Sequence, residues 1–331
     1  MAIQGVNIGG WFIPENWLTP SLFSSTDAVD LNTLLQTEEG KRRYQAHLDS
    51  FITEDDFKWL RDHKVTLVRI PVGYWLFDGD ASYPASVKYL DWAMKMAEKY
   101  DLHVLIDLHA VKGSQNGQIH SGQIGKIEWQ KQRVYQKQTI GVLIQIAERY
   151  NSLPSFWGIE LVNEPKLGRY YFTLLRFYRE AYRQLRKTLR PGVYTVFHDA
   201  FHPVLFTGAL WPRKHHPIVF DAHWYVIAPQ LSGKLSFRAY QRLQCGLFGA
   251  LLWFLQRWQS VIIGEWSAVL PQEMFNRIPQ DRHYELLARN IAAQQKIYRP
   301  ALATMYWSYK AEGKGMWNFR SLVEAGVLML K

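Results

Sequence analysis

Eight short apolar segments, most of them followed by a longer segment of helical periodicity, constrain the fold of this 331-residue chain more than any other feature. Continuous apolar runs of this length are typical of parallel strands that are buried on both faces. The predicted strands are Ile3–Ile8, Leu67–Val72, His103–His109, Phe156–Asn163, Val193–Asp199, Val219–Tyr225, Val261–Glu265 and Ala303–Tyr309.

Helical patterns fill most of the intervals between these strands. The clearest are Ser86–Lys99, Ile127–Tyr150, Tyr170–Leu189, Phe237–Trp258 and His283–Tyr298, whereas a helix near Phe206–Trp211 is poorly supported. This alternation predicts a single (β/α)8 barrel in which residues 1–331 form one domain. An open doubly wound sheet would usually carry a G-x-G-x-x-G turn after its first strand, and the residues following Asn7 do not match that motif.

Composition narrows the class of protein further. The chain is 48% hydrophobic, which excludes a disordered protein, and its single cysteine, Cys245, excludes an internal disulfide. The longest uncharged apolar run, Cys245 to Leu255, is too short to cross a membrane. No signal peptide is visible, so we expect a soluble cytoplasmic monomer, or a secreted protein if a leader has been removed.

The net charge of +10 raises the question of an acidic partner. Many of the basic residues lie between Arg169 and Arg190, where apolar residues recur at helical spacing. We interpret this segment as an amphipathic helix with a solvated basic face, and a partner-binding face is the alternative. No nucleic-acid-binding motif accompanies the charge, so binding to nucleic acid is not expected.

Polar side chains collect where the predicted strands end, which is where (β/α)8 barrels carry their chemistry. So many ionisable groups at strand ends need partners, because unpaired burial of polar groups is costly. These residues are Arg69, Asp107, His109, Asn163, Glu164, His198, Asp199, His223, Tyr225, Glu265 and Trp307.

Glu164 and Glu265 each follow an apolar strand, and opposed carboxylates across a pocket are what glycoside hydrolysis requires. One must donate a proton near neutral pH, and the other must be ionised. Arg69 can keep one of them charged. His223 and Tyr225 lie two apart, so on a strand they face the same side.

Other groups suit the same chemistry. Tyr225 can donate to a carboxylate oxygen, His223 can assist proton transfer, and the Asn163 amide can hold a sugar hydroxyl. Tryptophan rings supply flat apolar surfaces for sugar faces, and Trp307 is the ring that we expect to stack on substrate. Metal-binding H-E-x-x-H, the G-x-S-x-G elbow and the phosphate loop are all missing from the sequence.

These motifs resemble glycoside hydrolase family 5, in particular its exo-β-1,3-glucanase branch of yeasts and other fungi. The resemblance runs from about Gly5 to Gly326, with motifs in the same order. The matching segments are Gly5–Trp11, Trp17–Phe23, Val68–Val72, Asp107–His109, Gly113–Gly117, Asn163–Pro165, His223–Tyr225, Gly264–Ser267 and Tyr306–Ser308.

The resemblance implies a (β/α)8 barrel that uses no cofactor or metal and hydrolyses a β-glucan with retention of anomeric configuration. It implies that Glu265 is the nucleophile and that Glu164 is the acid/base. It also implies supporting or substrate-binding roles for Glu15, Arg69, His109, Asn116, Asn163, His223, Tyr225 and Trp307.

Several activities share this pair of carboxylates and stay open at this point. The chain is shorter than typical fungal relatives, and shorter loops would open the pocket. Exo-β-1,3-glucanase is the expected activity. The alternatives are an endo-β-glucanase acting on β-1,3 or β-1,4 links, a glycolipid β-glucosidase, a transglycosylase and, more distantly, a non-catalytic carbohydrate-binding barrel.

Overall fold

The eight predicted strands form one closed parallel barrel in the computed structural model, which describes residues 2–225, 234–313 and 315–330. The strands follow one another around the barrel in sequence order, so the prediction of a (β/α)8 barrel is confirmed. They are β1 (Ile3–Asn7), β2 (Leu67–Gly73), β3 (His103–Ala110), β4 (Phe156–Glu160), β5 (Tyr194–His198), β6 (Ile218–His223), β7 (Ser260–Trp266) and β8 (Ala303–Tyr306).

Helices surround the barrel. The α-helices of the described residues are α1 (Pro20–Phe23), α2 (Leu31–Leu34), α3 (Glu38–Ser50), α4 (Glu54–Asp62), α5 (Val87–Lys99), α6 (Arg133–Tyr150), α7 (Tyr171–Leu185), α8 (Pro203–Phe206), α9 (Phe237–Leu255), α10 (Gln272–Phe275), α11 (His283–Tyr298) and α12 (Phe319–Glu324). Two short 3-10 turns cover Ile119–Ser121 and Gln280–Arg282. Within the described part of the chain, every helix is too short or too polar to span a lipid bilayer.

One helical prediction needed correction, and the helix that the sequence supported poorly is only one turn long. The helix predicted from Ile127 begins only at Arg133, because the amides of Glu128 and Trp129 donate to Gly113 O in the loop after β3. After β5 the chain forms only the one-turn helix α8 before it runs on to β6.

The barrel interior is built in layers that follow the two-residue period of a strand. One cluster of inward side chains is apolar and includes Leu67, Leu105 and Val219. Two residues further along the same strands, Arg69, Asp107 and Asp221 are equally buried. The interior therefore changes from apolar to charged toward the carboxyl ends of the strands.

The strand predicted to reach Asn163 ends at Glu160. Asn163 and Glu164 lie in the irregular segment that follows, and Glu164 has a φ of 41°. This left-handed backbone conformation is uncommon for a residue other than glycine and occurs preferentially at functional sites. The turn carries the Glu164 side chain away from the direction that a continued strand would give it.

Candidate active site

A pocket of about 340 Å³ opens at the carboxyl ends of the strands. Its wall contains three carboxylates, two imidazoles and several aromatic rings. The lining residues are Glu15, Trp17, His109, Ile119, His120, Asn163, Glu164, Tyr225, Glu265, Trp307 and Trp317.

Arg69 on β2 is fully buried next to this pocket and organises four neighbouring strands or strand ends. Its Nε donates to Glu160 Oε2 at 2.8 Å, and its Nη1 donates to Asn7 Oδ1 at 2.9 Å. Its Nη2 donates to Asn163 Oδ1 at 2.9 Å and lies 3.0 Å from Asp107 Oδ2. Burial lowers the pKa of Arg69, but the surrounding carboxylates raise it well above its ordinary value overall. The guanidinium is thus a fixed positive charge.

Glu265 on β7 receives two hydrogen bonds that stabilise a charged carboxylate. Arg69 Nη1 donates to its Oε1 at 3.0 Å, and Tyr225 Oη donates to its Oε2 at 2.6 Å. The preceding residue must be glycine, because a Cβ on Gly264 would lie 2.1 Å from Asp221 Oδ2. Instead, the Gly264 amide donates to Asp221 Oδ1 at 2.8 Å, which anchors the end of β7. Glu265 is therefore held rigidly.

His223 at the end of β6 joins the two glutamates. Its Nδ1 donates to Glu164 Oε1 at 2.6 Å and lies 3.4 Å from Glu265 Oε2. The sum of these two distances is the largest possible separation of Glu164 Oε1 and Glu265 Oε2. This close approach of two carboxylates is compatible with the roughly 5–5.5 Å between the carboxyl groups of retaining glycosidases.

The surroundings of Glu164 contain two histidines. His223 Nδ1 contacts one carboxylate oxygen, and His120 Nε2 lies 3.2 Å from the other, Oε2. Burial raises the pKa of Glu164, but the hydrogen bonds and charges of His120 and His223 outweigh it and hold this pKa well below its usual range. In the free protein the protons therefore reside on the histidines, and Glu164 is charged.

Glu15 is the third carboxylate of the pocket and is also buried. Burial raises its pKa to about 7, against the opposing charge of His120 and a hydrogen bond from Trp17. Trp17 Nε1 donates to Glu15 Oε2 at 3.0 Å. A buried acceptor with a fixed orientation is suited to binding the hydroxyl groups of a sugar.

The aromatic residues near the strand ends form two groups, one that lines the pocket and one that lies in the core. Trp307 and His109 stack with ring centroids 5.5 Å apart, and Trp17 packs against Trp317 at 5.1 Å. All four line the pocket. Four other tryptophans at or just beyond the ends of predicted strands, Trp11, Trp75, Trp224 and Trp266, are buried in the core.

All ten predicted site residues come together. Eight line the pocket or hold a carboxylate within it: Glu15, His109, Asn163, Glu164, His223, Tyr225, Glu265 and Trp307. Arg69 lies beneath them, and Asn116 Nδ2 donates to the backbone oxygen of Glu164 at 3.0 Å. Their chemical roles stay predictions.

Among the buried or titratable polar residues of the site, sequence reasoning missed Asn7, Glu160, Asp221 and His120. Glu160 and Asp221 interrupt apolar runs, and that interruption is a usable signal, because a charge inside a buried strand needs a partner. Asn7 is the last residue of β1, and its amide donates to Gly264 O at 2.8 Å. His120 lies in a loop, where no periodic pattern indicates its direction.

Two groups within the described residues bring possible metal ligands within 4.8 Å of one another: Glu164 with His198 and His223, and Glu160 with Asp221 and His223. Both groups depend on His223, whose Nδ1 already contacts Glu164. Arg69 lies 2.8 Å from Glu160, and its positive charge opposes a cation there. Glycoside hydrolysis by two carboxylates needs no metal.

Comparisons with known proteins concern the chain as a whole. The family model described as cellulase, glycosyl hydrolase family 5, matches residues 35–313. A probable glucan 1,3-beta-glucosidase A of Aspergillus niger is 30% identical over 97% of this chain and 86% of that protein. A glucan 1,3-beta-glucosidase of Pichia angusta is 34% identical over 81% of this chain, which spans 64% of that relative.

Solved structures show the same architecture. The rutinosidase of Aspergillus niger superposes with a TM-score of 0.79 at 20% identity, covering 98% of this chain and 97% of that one. The endoglucanase Cel5A of Thermotoga maritima superposes with a TM-score of 0.60 at 14% identity, covering 98% and 97% of the two chains. At such identities the likeness concerns the fold alone. The family model and the sequence relatives show more, and the chain is a member of glycosyl hydrolase family 5, an enzyme that hydrolyses glycosidic bonds.

Proposed function

We propose that this chain is an exo-β-1,3-glucanase that removes glucose from the end of a β-glucan by double displacement. The observation that carries the proposal is the joint contact of His223 Nδ1 with Glu164 and Glu265 at one pocket. The relatives named glucan 1,3-beta-glucosidase support the choice of substrate.

In the first displacement, Glu265 attacks the anomeric carbon of the terminal sugar. Arg69 and Tyr225 orient the carboxylate and stabilise its charge until the bond forms. Glu164 gives a proton to the departing glycosidic oxygen, and a covalent glycosyl-enzyme results.

In the second displacement, water attacks the same carbon from the side of Glu164. Glu164 now accepts the proton of that water, and the bond to Glu265 breaks with its electron pair returning to the carboxylate. Two inversions give net retention. Asn163, held by Arg69 Nη2 at 2.9 Å, is placed to bind the hydroxyl next to the reacting carbon.

The size of the pocket supports cleavage at a chain end. Its volume of about 340 Å³ is at the small end of ligand-binding cavities, which matches one terminal sugar better than a long segment of polymer. Glu15 would bind hydroxyls of that sugar, and Trp307 would pack on its apolar face.

Product analysis tests the proposal. Laminarin digestion should release glucose from the earliest time points, and proton NMR should detect the β-anomer of glucose before mutarotation. An early ladder of oligosaccharides would identify an endo-glucanase. Release of the α-anomer first would contradict double displacement, and cleavage of β-1,4-glucan in preference to laminarin would contradict the linkage.

A further inference from the structure

His120 lines the pocket beside Glu164 and has no part in the two-carboxylate mechanism proposed above. We propose that His120 is a positioning residue that acts through Glu164, storing on Nε2 the proton that Glu164 delivers to the leaving oxygen. The inference rests on the proposed function and adds a proton store on the acid/base side of that mechanism.

The geometry places one histidine nitrogen on each oxygen of a single carboxylate. His223 Nδ1 lies 2.6 Å from Glu164 Oε1, and His120 Nε2 lies 3.2 Å from Oε2. The His223 side chain is fully buried, whereas His120 lines the pocket. Oε2 is therefore the oxygen on the substrate side, and His120 is its proton-bearing neighbour.

Asn116 is a second neighbour of His120 Nε2. Whereas the Glu164 carboxylate is a hydrogen-bond acceptor, the Asn116 amide nitrogen is a donor. Asn116 Nδ2 lies 2.8 Å from that nitrogen. The orientation of the amide is fixed, because its Oδ1 accepts from Gln118 N at 3.0 Å and its Nδ2 donates to Glu164 O at 3.0 Å. A fixed N–H group at this position stabilises a lone pair on Nε2, which is the neutral form of the ring.

The two partners of Nε2 therefore favour opposite protonation states, which keeps the proton easy to move. Burial lowers the pKa of His120, but the hydrogen bond and charge of Glu164, with the charges of Glu15 and Glu265, raise it to about 9. His109 also faces the ring, with centroids 5.4 Å apart. The proton is on His120 in the free protein, and Asn116 stabilises the ring once the proton has left.

The proton balance closes over one catalytic cycle. As substrate binds, the proton passes from His120 Nε2 to Glu164 Oε2. It then passes to the glycosidic oxygen, which keeps the electron pair of the breaking bond while Glu265 bonds to the anomeric carbon. In the second step the attacking water gives its proton to Glu164, which returns it to His120 Nε2 as the bond to Glu265 breaks.

Leaving groups of graded basicity test the proposal, with His120→Gln as the variant and His120→Asn as a second in case the first does not fold. Phenyl β-glucoside needs a proton on its leaving oxygen, whereas 2,4-dinitrophenyl β-glucoside does not. We expect kcat/KM to fall by about tenfold or more for the first and by less than about threefold for the second. Equal losses for both substrates, or no loss for either, would overturn the proposal.

A matched control is His202→Gln, which changes an exposed histidine in the loop after β5 whose ring contacts the backbone oxygen of Ala200. Its kinetics should equal those of the unchanged enzyme. The pH profile gives a further readout: with phenyl β-glucoside, kcat/KM should decline as pH rises through about 9, and His120→Gln should displace that decline.

A measurement on the free protein separates this inference from the proposed function. Imidazole ¹⁵N spectra should show the pKa of His120 above its ordinary value, and lower in Glu164→Gln, because burial then acts against fewer negative charges. An ordinary pKa that Glu164→Gln leaves unchanged would overturn the proton store even if the enzyme is active. Failure to cleave any β-glucoside would contradict the proposed function, while these spectra would still decide the role of His120.

Discussion

The two carboxylates to which we assign catalysis have different surroundings. Glu265 lies within β7, next to shifts in the pairing register with β6 and β8, and accepts from Arg69 and Tyr225, two groups that remain protonated at any physiological pH. Glu164 lies just beyond a strand with a φ of 41°, and its oxygens face His223 and His120. The proposed nucleophile is bound by permanent donors, and the proposed acid/base by groups that can exchange protons.

This difference corresponds to what each carboxylate must do. A nucleophile has to keep its charge and direction until it attacks, which fixed donors favour. An acid/base has to gain and lose a proton within each turnover, which requires neighbours of comparable proton affinity. Substitutions around Glu265 and substitutions around Glu164 should therefore differ in the kind of kinetic effect as well as in its size.

The largest effect is expected from Glu265→Ala. Loss of the nucleophile should reduce kcat for aryl β-glucosides by a factor on the order of 10⁵, since no covalent intermediate can form. Azide should partly restore turnover and give the α-glucosyl azide, detected by NMR. Glu38→Ala, which removes an exposed glutamate, is the control, and substantial activity in Glu265→Ala without azide would mean that another residue is the nucleophile.

Glu164→Ala should have a smaller effect that depends on the leaving group. For phenyl β-glucoside, kcat/KM should fall by roughly 10²–10⁴-fold, the usual contribution of general acid catalysis. For 2,4-dinitrophenyl β-glucoside the first step should be nearly unchanged, and azide should give the β-glucosyl azide. The two azide products thus distinguish the two carboxylates. Formation of the α-azide by Glu164→Ala would reverse the assignment.

Tyr225→Phe should weaken the stabilisation of the Glu265 carboxylate without abolishing activity. The hydroxyl donates to Glu265 Oε2 at 2.6 Å, and a hydrogen bond to a charged group contributes about 1.5–3 kcal/mol. We expect kcat to fall by roughly 10- to 150-fold for good and poor leaving groups alike. Tyr284→Phe, at a half-exposed position, is the control. A loss confined to poor leaving groups would place Tyr225 on the acid/base side instead.

The smallest effect should come from Glu15→Gln, which tests whether the third carboxylate acts with Glu265 or with Glu164. The pKa of Glu15 is about 7, so its charged form increases as pH rises through 7. A charged acceptor binds sugar hydroxyls more strongly, and wild-type kcat/KM should therefore rise severalfold between pH 6 and 8, roughly following this titration. The rise should be lost in Glu15→Gln, and its persistence there would assign it to another group.

Much of the fold and site could be predicted from the sequence, because buried parallel strands leave an unmistakable pattern and their polar ends share one face. Glu164 and Glu265 were identifiable from this alone, although they are about a hundred residues apart in the chain. The position of Gly264 is explained only by the structure, because its constraint is the carboxylate of Asp221 on a neighbouring strand.

The parts that could not be predicted depend on the three-dimensional placement of loops and on pairing between side chains. His120 reaches Glu164 only because the loop after β3 turns back over the pocket through the short 3-10 turn Ile119–Ser121. The end of β4 was misplaced by three residues, since the apolar run continues past Glu160 while the backbone already departs from strand geometry. Sequence patterns report burial, and they do not report where the backbone turns.

Closure of the barrel between β1 and β8 affects how the enzyme is made. Ile3 pairs with Ala303, and the Asn7 amide contacts the backbone oxygens of Met305 and Tyr306 as well as that of Gly264. When seven strands have left the ribosome, the partly formed sheet still has two unpaired edges, which are prone to incorrect association. During translation the protein therefore becomes able to catalyse its reaction only late and in a single step, when β8 pairs with β1.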